Sequence, residues 1–337
     1  MSCRAGPRVD QVTGQDEFDV VGIGNALVDV LAHHDDDFLA RHGLAKGGMA
    51  LMEAVDAQAI YAEMGKTTRA SGGSAANTVA GLANLGGRAA FMGRVHDDEL
   101  GQVYAQDLQG IGVTYQTKPA ADGPPTGTCL IVVSPDAERT MVTSLGASAL
   151  FSEEDIDVDL VRRAKVTYLE GYLFDRPECK EAYWAASRAA AAAGRQVALT
   201  LSDLFCVERH RDDWLPLIRD QVDILFANES EALALWQVDT VEEAVEKARS
   251  QVSIACITRS EKGSIVVAGD DLYEVDAAPV EQLVDTTGAG DLYAAGFLFG
   301  YTQGRPLDEA GRLGSVAAAT IVGQNGARLT TSLADVI

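Results

Sequence analysis

The chain has 337 residues, 47% of them hydrophobic, which is enough apolar side chain to fill one large core and argues against long disordered tracts. Its 50 acidic against 27 basic residues give a formal net charge of -23, so the averaged surface repels polynucleotides and anionic lipid and neither is expected as a partner. The five cysteines fall at none of the short paired spacings that hold zinc or build a disulfide framework, and no apolar run approaches the roughly 20 residues that cross a bilayer; a reducing, cytoplasmic location is expected.

Residues 1–17 read as a polar tail without the apolar segment of a signal peptide. From Phe18, the run FDVVGIGNALVDV is β-branched and closed by glycines, which predicts a buried strand ending in a turn. His33 to Met52 shows no regular period. In SGGSAANTVAGLANLGG, Val79, Leu82 and Ala83 keep helical spacing until Gly86 and Gly87 stop the helix. TGTCLIVVS and RTMVTSLGA predict a hairpin about Pro135 and Asp136, a small β element set into an α/β body.

Beyond it the pattern is regular. VTYLEGY, QVALTLS and DILFAN predict strands, and PECKEAYWAASRAAAAAG predicts a helix with Asp175 as a possible N-cap and Pro177 in its first turn. EALALW and VEEAVEKARS have helical spacing, CITRSEKGSIVVAG reads as a strand pair, and DTTGAGDLYAAGFLFGYTQG is a glycine loop feeding a helix. The expected architecture is α/β, a sheet layered by helices over residues 18–337, with a small β lid from segments at about 30–52 and 112–146.

Asp285 to Asp291 (DTTGAGD) carries the strongest chemical signal. Its glycines let successive backbone N–H groups point outward, and the helix that follows adds partial positive charge, an arrangement suited to a phosphoryl group in transfer. Asp291, at the rim, can take a proton from an alcohol. On these residues alone, a helix cap on a glycine turn is an equal reading.

The heptapeptide resembles the second signature of the ribokinase-like (PfkB) family of carbohydrate and purine kinases, and Gly72-Gly73-Ser74-Ala75-Ala76-Asn77 followed by Gly86 resembles the first. The likeness runs over residues 18 to 337 and implies a three-layer α/β/α fold with a mostly parallel central sheet. It also implies ATP with Mg2+ as phosphoryl donor, Asp291 as catalytic base, and an anion hole from Gly288, Ala289, Gly290 and Asp291. Several stretches are most similar to the family's adenosine kinase branch, which implies phosphorylation of a nucleoside 5′-hydroxyl, adenosine first. Gly24 to Asp29 resembles the substrate strand, with Asp29 accepting from two ribose hydroxyls and Asn25 beside it; Gly72, Gly73 and Asn77 would line the sugar. Sugar-specific relatives usually have lysine after the two glycines, where this chain has Ser74, so free ribose or fructose is the alternative substrate. A Rossmann turn at Gly22 to Asp29 lacks its third glycine.

By the same resemblance, Arg139 is a lid arginine that closes over the transferred group, and Leu27, Leu145, Ala147, Tyr172 and Phe205 form the slot for the base. Asn228 and Glu231 resemble the motif that orders magnesium, Glu231 acting through water. Thr258, Arg259 and Gly263 resemble the loop over ATP. Asp285 and Thr287 resemble ligands of a potassium site completed by carbonyls from about residue 322 to 326, where an oxygen-rich shell suits a large cation. A lone arginine is also an ordinary hairpin charge, Glu231 an ordinary helix-start acid, and the slot residues ordinary core. A non-catalytic sensor on this fold would have lost the base or a glycine of the anion hole; this chain keeps both. The sequence leaves monomer and homodimer open.

Overall fold

The computed structural model describes residues 17–136 and 138–333, so the expected polar tail lies outside the described residues except for Glu17. The chain enters as β1 (Phe18–Ile23), turns, and continues as β2 (Leu27–His33). These lie in different sheets, so the single strand expected from FDVVGIGNALVDV is two. The region without visible period holds α1 (Asp36–Arg41) and β3 (Met49–Leu51), followed by α2 (Ala54–Glu63). The helix α1 is too short for periodicity to show, and its start is fixed by the Asp35 side chain accepting from the Phe38 amide. Next, β4 (Thr68–Gly72) pairs antiparallel with β2 and runs directly into α3 (Ser74–Asn84).

After β5 (Ala89–Met92), α4 (Glu99–Gly110) and β6 (Thr114–Tyr115) comes the predicted hairpin, β7 (Gly127–Val133) antiparallel to β8 (Arg139–Ser144). Alternation then sets in with α5 (Val158–Arg163), β9 (Ala164–Glu170), α6 (Pro177–Ala192), β10 (Gln196–Thr200), α7 (Leu204–Gln221) and β11 (Ile224–Asn228). It closes with α8 (Glu229–Trp236), α9 (Val241–Gln251), β12 (Ile254–Thr258), β13 (Ser264–Ala268), β14 (Asp271–Val275), α10 (Ala289–Thr302) and α11 (Leu307–Val322). In α6, Pro177 occupies the first turn as expected, but Asp175 does not cap it. The N-cap is Arg176, and Asp175 instead receives Arg209 and His210.

The large sheet has nine strands in the order β14-β13-β12-β11-β10-β9-β1-β5-β6, all running the same way except β13, which is antiparallel to both its neighbours. Strand period two splits β1 between two cores: Val20 packs with Val79, Leu82 and Phe297 on one face, Val21 with Leu217, Trp214 and Tyr183 on the other. Helices thus cover both faces in a three-layer α/β/α arrangement. A five-stranded sheet, β3-β8-β7-β2-β4, stands apart as a lid. It draws on residues 27–33 and 68–72 besides the expected segments, whereas β6, at 114–115, belongs to the large sheet. The carboxyl ends of the parallel strands, the lid and the start of α10 enclose one cleft, the usual ligand position in such sheets.

Candidate active site

The cleft is a cavity of about 610 Å³, large enough for a small organic substrate and part of a nucleotide. On its floor Gly288 caps α10 with φ +81°, and a Cβ there would stand 2.8 Å from that of Ala327; glycine is required by both conformation and space. Gly290, by contrast, faces open space. The first amides of α10 have no carbonyl four residues back within the helix, and Gly288 to Asp291 all line the cleft. The Ala289 amide, expected in an anion hole, is instead turned onto Thr286 O at 3.2 Å.

Asp291 is held from both sides by the first turn of α3: Ser74 Oγ donates to Oδ1 at 2.6 Å and Asn77 Nδ2 to Oδ2 at 2.9 Å. Burial raises its pKa, and those two bonds together with the Arg328 charge counter the rise. The two signature segments, far apart in the chain, therefore meet at this carboxylate. Asp29 lies over Gly72 on the neighbouring strand, so close that a Cβ on Gly72 would stand 2.4 Å from Asp29 Oδ1. Burial pushes the Asp29 pKa up to about 6, against the pull of Arg328 and Arg139. Gly73 has φ +99°, and its Cβ would meet Asn25 O at 2.1 Å. Gly72 thus shapes the site from behind Asp29, while Gly73 and Asn77 stand on the cleft wall.

Asn25 is fixed by Glu170, whose Oε1 accepts its backbone N–H at 3.1 Å and its Nδ2 at 2.9 Å; Glu170 Oε2 takes the Ala75 amide at 2.7 Å. Burial lifts the Glu170 pKa to about 7. Sequence reasoning passed over this acid, and the signal available was a glutamate closing an otherwise apolar strand in VTYLEGY. Leu27, Leu145, Tyr172 and Phe205 line the cleft, whereas Ala147, expected with them, is buried and not on its wall. Phe205 is 58% exposed with Arg209 stacked 4.5 Å from its ring centre. Arg209 and its partner Asp175, the latter expected only as a helix cap, are further wall residues.

At the other end, Asn228 and Glu231 form a reciprocal cap on α8: each Glu231 oxygen accepts from Asn228, and Asn228 Oδ1 accepts the Glu231 amide. Burial raises the Glu231 pKa to about 7. Both residues line the cleft, so Glu231 caps the helix and still offers its remaining lone pairs to a hydrated ion. Thr258 lines the cleft as well. Arg259 pairs with Glu229 at 3.3 Å, and Gly263, at φ +79°, makes the turn between β12 and β13; neither is on the cleft wall. Among the described residues no three His, Cys, Asp or Glu side chains cluster as a metal site. A magnesium ion here would draw most of its ligands from outside the protein side chains.

Asp285 organises the loop. Its Oδ1 accepts Thr287 N at 2.9 Å and Thr287 Oγ1 at 2.7 Å; its Oδ2 accepts Gly326 N at 2.9 Å and the guanidinium of Arg139. These bonds hold its pKa below the usual carboxylate value although burial opposes them. Four donors thus converge on this carboxylate, Arg139 among them. Arg139, at the start of β8, thus reaches the loop that precedes α10.

Comparison with known proteins gives a consistent result. The sequence profile of the family described as "pfkB family carbohydrate kinase" matches residues 44–333. The crystal structure of adenosine kinase from Sinorhizobium meliloti superposes with a TM-score of 0.86 at 50% identity, covering 95% of this chain and 98% of that one. A probable sugar kinase from Rhizobium etli superposes with the same TM-score, 0.86, at 47% identity and the same coverage, 95% and 98%. Adenosine kinase 1 of Arabidopsis thaliana is 28% identical over 334 residues, 91% of this chain and 94% of its own length.

Proposed function

The chain belongs to the pfkB family of carbohydrate kinases, and from that premise we propose that it transfers the terminal phosphoryl group of ATP to the 5′-hydroxyl of a nucleoside, with adenosine as the leading substrate. The observation that carries this reading is the convergence on one cleft of two carboxylates, Asp29 and Asp291, with two aromatic faces, Tyr172 and Phe205. A vicinal diol suits the first acid, a hydroxyl nucleophile the second, and a planar base the two rings. The similarity to adenosine kinases supports the same reading.

In this mechanism Asp29 and Asn25 orient the ribose so that its 5′-oxygen stands in line with the terminal phosphorus. Asp291 takes the hydroxyl proton as the new P–O bond forms and ADP departs. The outward amides at the start of α10 and the Arg139 guanidinium offset charge developing on the phosphoryl oxygens. Magnesium, held by the phosphates with Glu231 reached through water, would supply charge neutralisation on the nucleotide. Asp285 and Thr287 are the residues that would hold potassium once Arg139 swings away to the phosphates.

The Rhizobium etli relative, described as a probable sugar kinase, gives the second reading, a sugar acceptor in the same cleft. ATP consumption measured with adenosine, inosine, guanosine, ribose and fructose, with and without potassium, separates the two. Nucleoside kcat/KM at least about 100-fold above that of either sugar is expected, since the base adds roughly 3 kcal/mol of contact. A sugar turned over better than every nucleoside would overturn the proposal.

A further inference from the structure

Arg139 acts on Asp29 alone of the two cleft acids, whereas Arg328, which no signature contains, acts on both. Arg328 follows α11 and reaches back to the substrate side. Its Nε donates to Ser71 O at 3.0 Å, its Nη1 to Ala76 O at 2.7 Å and its Nη2 to Ser71 Oγ at 3.2 Å. Ser71 and Ala76 bracket the segment that contains both glycines of the substrate turn and Ser74, and Asn77 follows directly. A single guanidinium thus ties the end of β4 to the first turn of α3, and that turn holds both oxygens of Asp291.

The surroundings of Arg328 are acidic on several sides. Asp29 faces it from β2, Asp107 and Tyr104 from α4, and Asp291 from α10. Asp107 Oδ2 in turn accepts Ser71 N and Ser71 Oγ, both at 2.7 Å. Arg139 and Cys129 also lie within electrostatic range of Asp29, and Glu170, Tyr168 and Tyr172 within that of Asp291. Two carboxylates in one low-dielectric cleft repel each other, and each is better tolerated as an anion with a fixed positive charge beside it.

We infer that Arg328 is a positioning residue for the transfer, clamping the substrate turn to α3 and supplying the positive charge that lets Asp29 and Asp291 stand ionised together. The two parts are separable by chemistry. Lysine keeps the charge but cannot fork between carbonyls of two elements, whereas glutamine loses the charge and keeps a donor. The inference rests on the nucleoside kinase reading of the same cleft.

The test follows adenosine binding by calorimetry, and kcat/KM with ATP, against pH for wild type, Arg328→Gln and Arg328→Lys. Arg328→Gln should raise the acid midpoint of both curves by roughly one pH unit. Arg328→Lys should keep the wild-type midpoint with kcat lowered about tenfold, because the turn is less well placed. A midpoint unmoved in Arg328→Gln rejects the inference while leaving the kinase reading intact; wild type that neither binds nor phosphorylates adenosine rejects both. Should Arg328→Gln fail to fold, Asp107→Asn carries the test with opposite sign. Removing the acid that offsets Arg328 should lower the midpoint, and a midpoint at or above wild type overturns the inference.

Discussion

Replacing Gly72 by alanine probes the substrate acid without touching it. Gly72 is not among the positive-φ glycines, so alanine is conformationally acceptable and the fold should survive. The added Cβ, however, would stand 2.4 Å from Asp29 Oδ1 and 2.6 Å from Oδ2, where ordinary contact begins at 3.4 Å. The carboxylate must retreat by about 1 Å, the difference between those distances, and a displacement of that size takes both oxygens out of hydrogen-bond reach of a diol placed for the native position. Hydrogen bonds to a charged group contribute about 1.5–3 kcal/mol each. Losing two therefore weakens substrate binding by roughly 3 kcal/mol or more, at least about 100-fold. Steady-state kinetics on Gly72→Ala should show KM for the nucleoside raised by about that factor and kcat within a few-fold, with Tm lowered by only a few degrees. A KM within about threefold of wild type in a folded variant would refute the placement of the diol on Asp29.

Arg139→Gln removes the guanidinium that bridges the lid to Asp285 and should lower kcat about 100-fold with nucleoside affinity little changed, as read by kinetics beside direct binding. Adenosine affinity should fall as pH drops through about 6: burial raises the Asp29 pKa, the ionised form is the diol acceptor, and each unit below the midpoint weakens binding roughly tenfold. Asp19→Asn tests the opposite end of β1, where a buried carboxylate faces Lys165 at 2.8 Å and Arg88 at 3.1 Å. Breaking that cluster should reduce unfolding free energy by about 3 kcal/mol in denaturant melts and leave activity per folded molecule unchanged.

The parts of the fold legible in the sequence are those where local pattern and tertiary role agree. The hairpin of β7 and β8, the alternation from β9 onward and the helix behind DTTGAGD all follow from period and glycine placement. α7 was hidden because Pro216 and a run of charges sit inside it; the Asp203 cap and the packing of Val207, Trp214, Leu217 and Ile218 in the core sustain it. The crossing from β1 to β2 was hidden because both strands are apolar and the turn between them is short. At the site, Asp291, Asp29 and the glycines could be found from their motifs. Glu170 left only the faint signal of an acid closing an apolar strand, and Arg328 left none, since an arginine in a terminal loop acquires meaning only when distant segments are brought beside it. Asp175 looked like a cap by position and proved to be half of an ion pair with Arg209.

The most direct measurement replaces the proton acceptor alone. In Asp291→Asn, Ser74 and Asn77 still have oxygen and nitrogen partners in place, so adenosine should bind within a few-fold of wild type while single-turnover phosphoryl transfer from ATP slows by about 10²–10⁴. Transfer at a near-normal rate in that variant would contradict the account, for it would mean that the carboxylate at the start of α10 does not receive the hydroxyl proton.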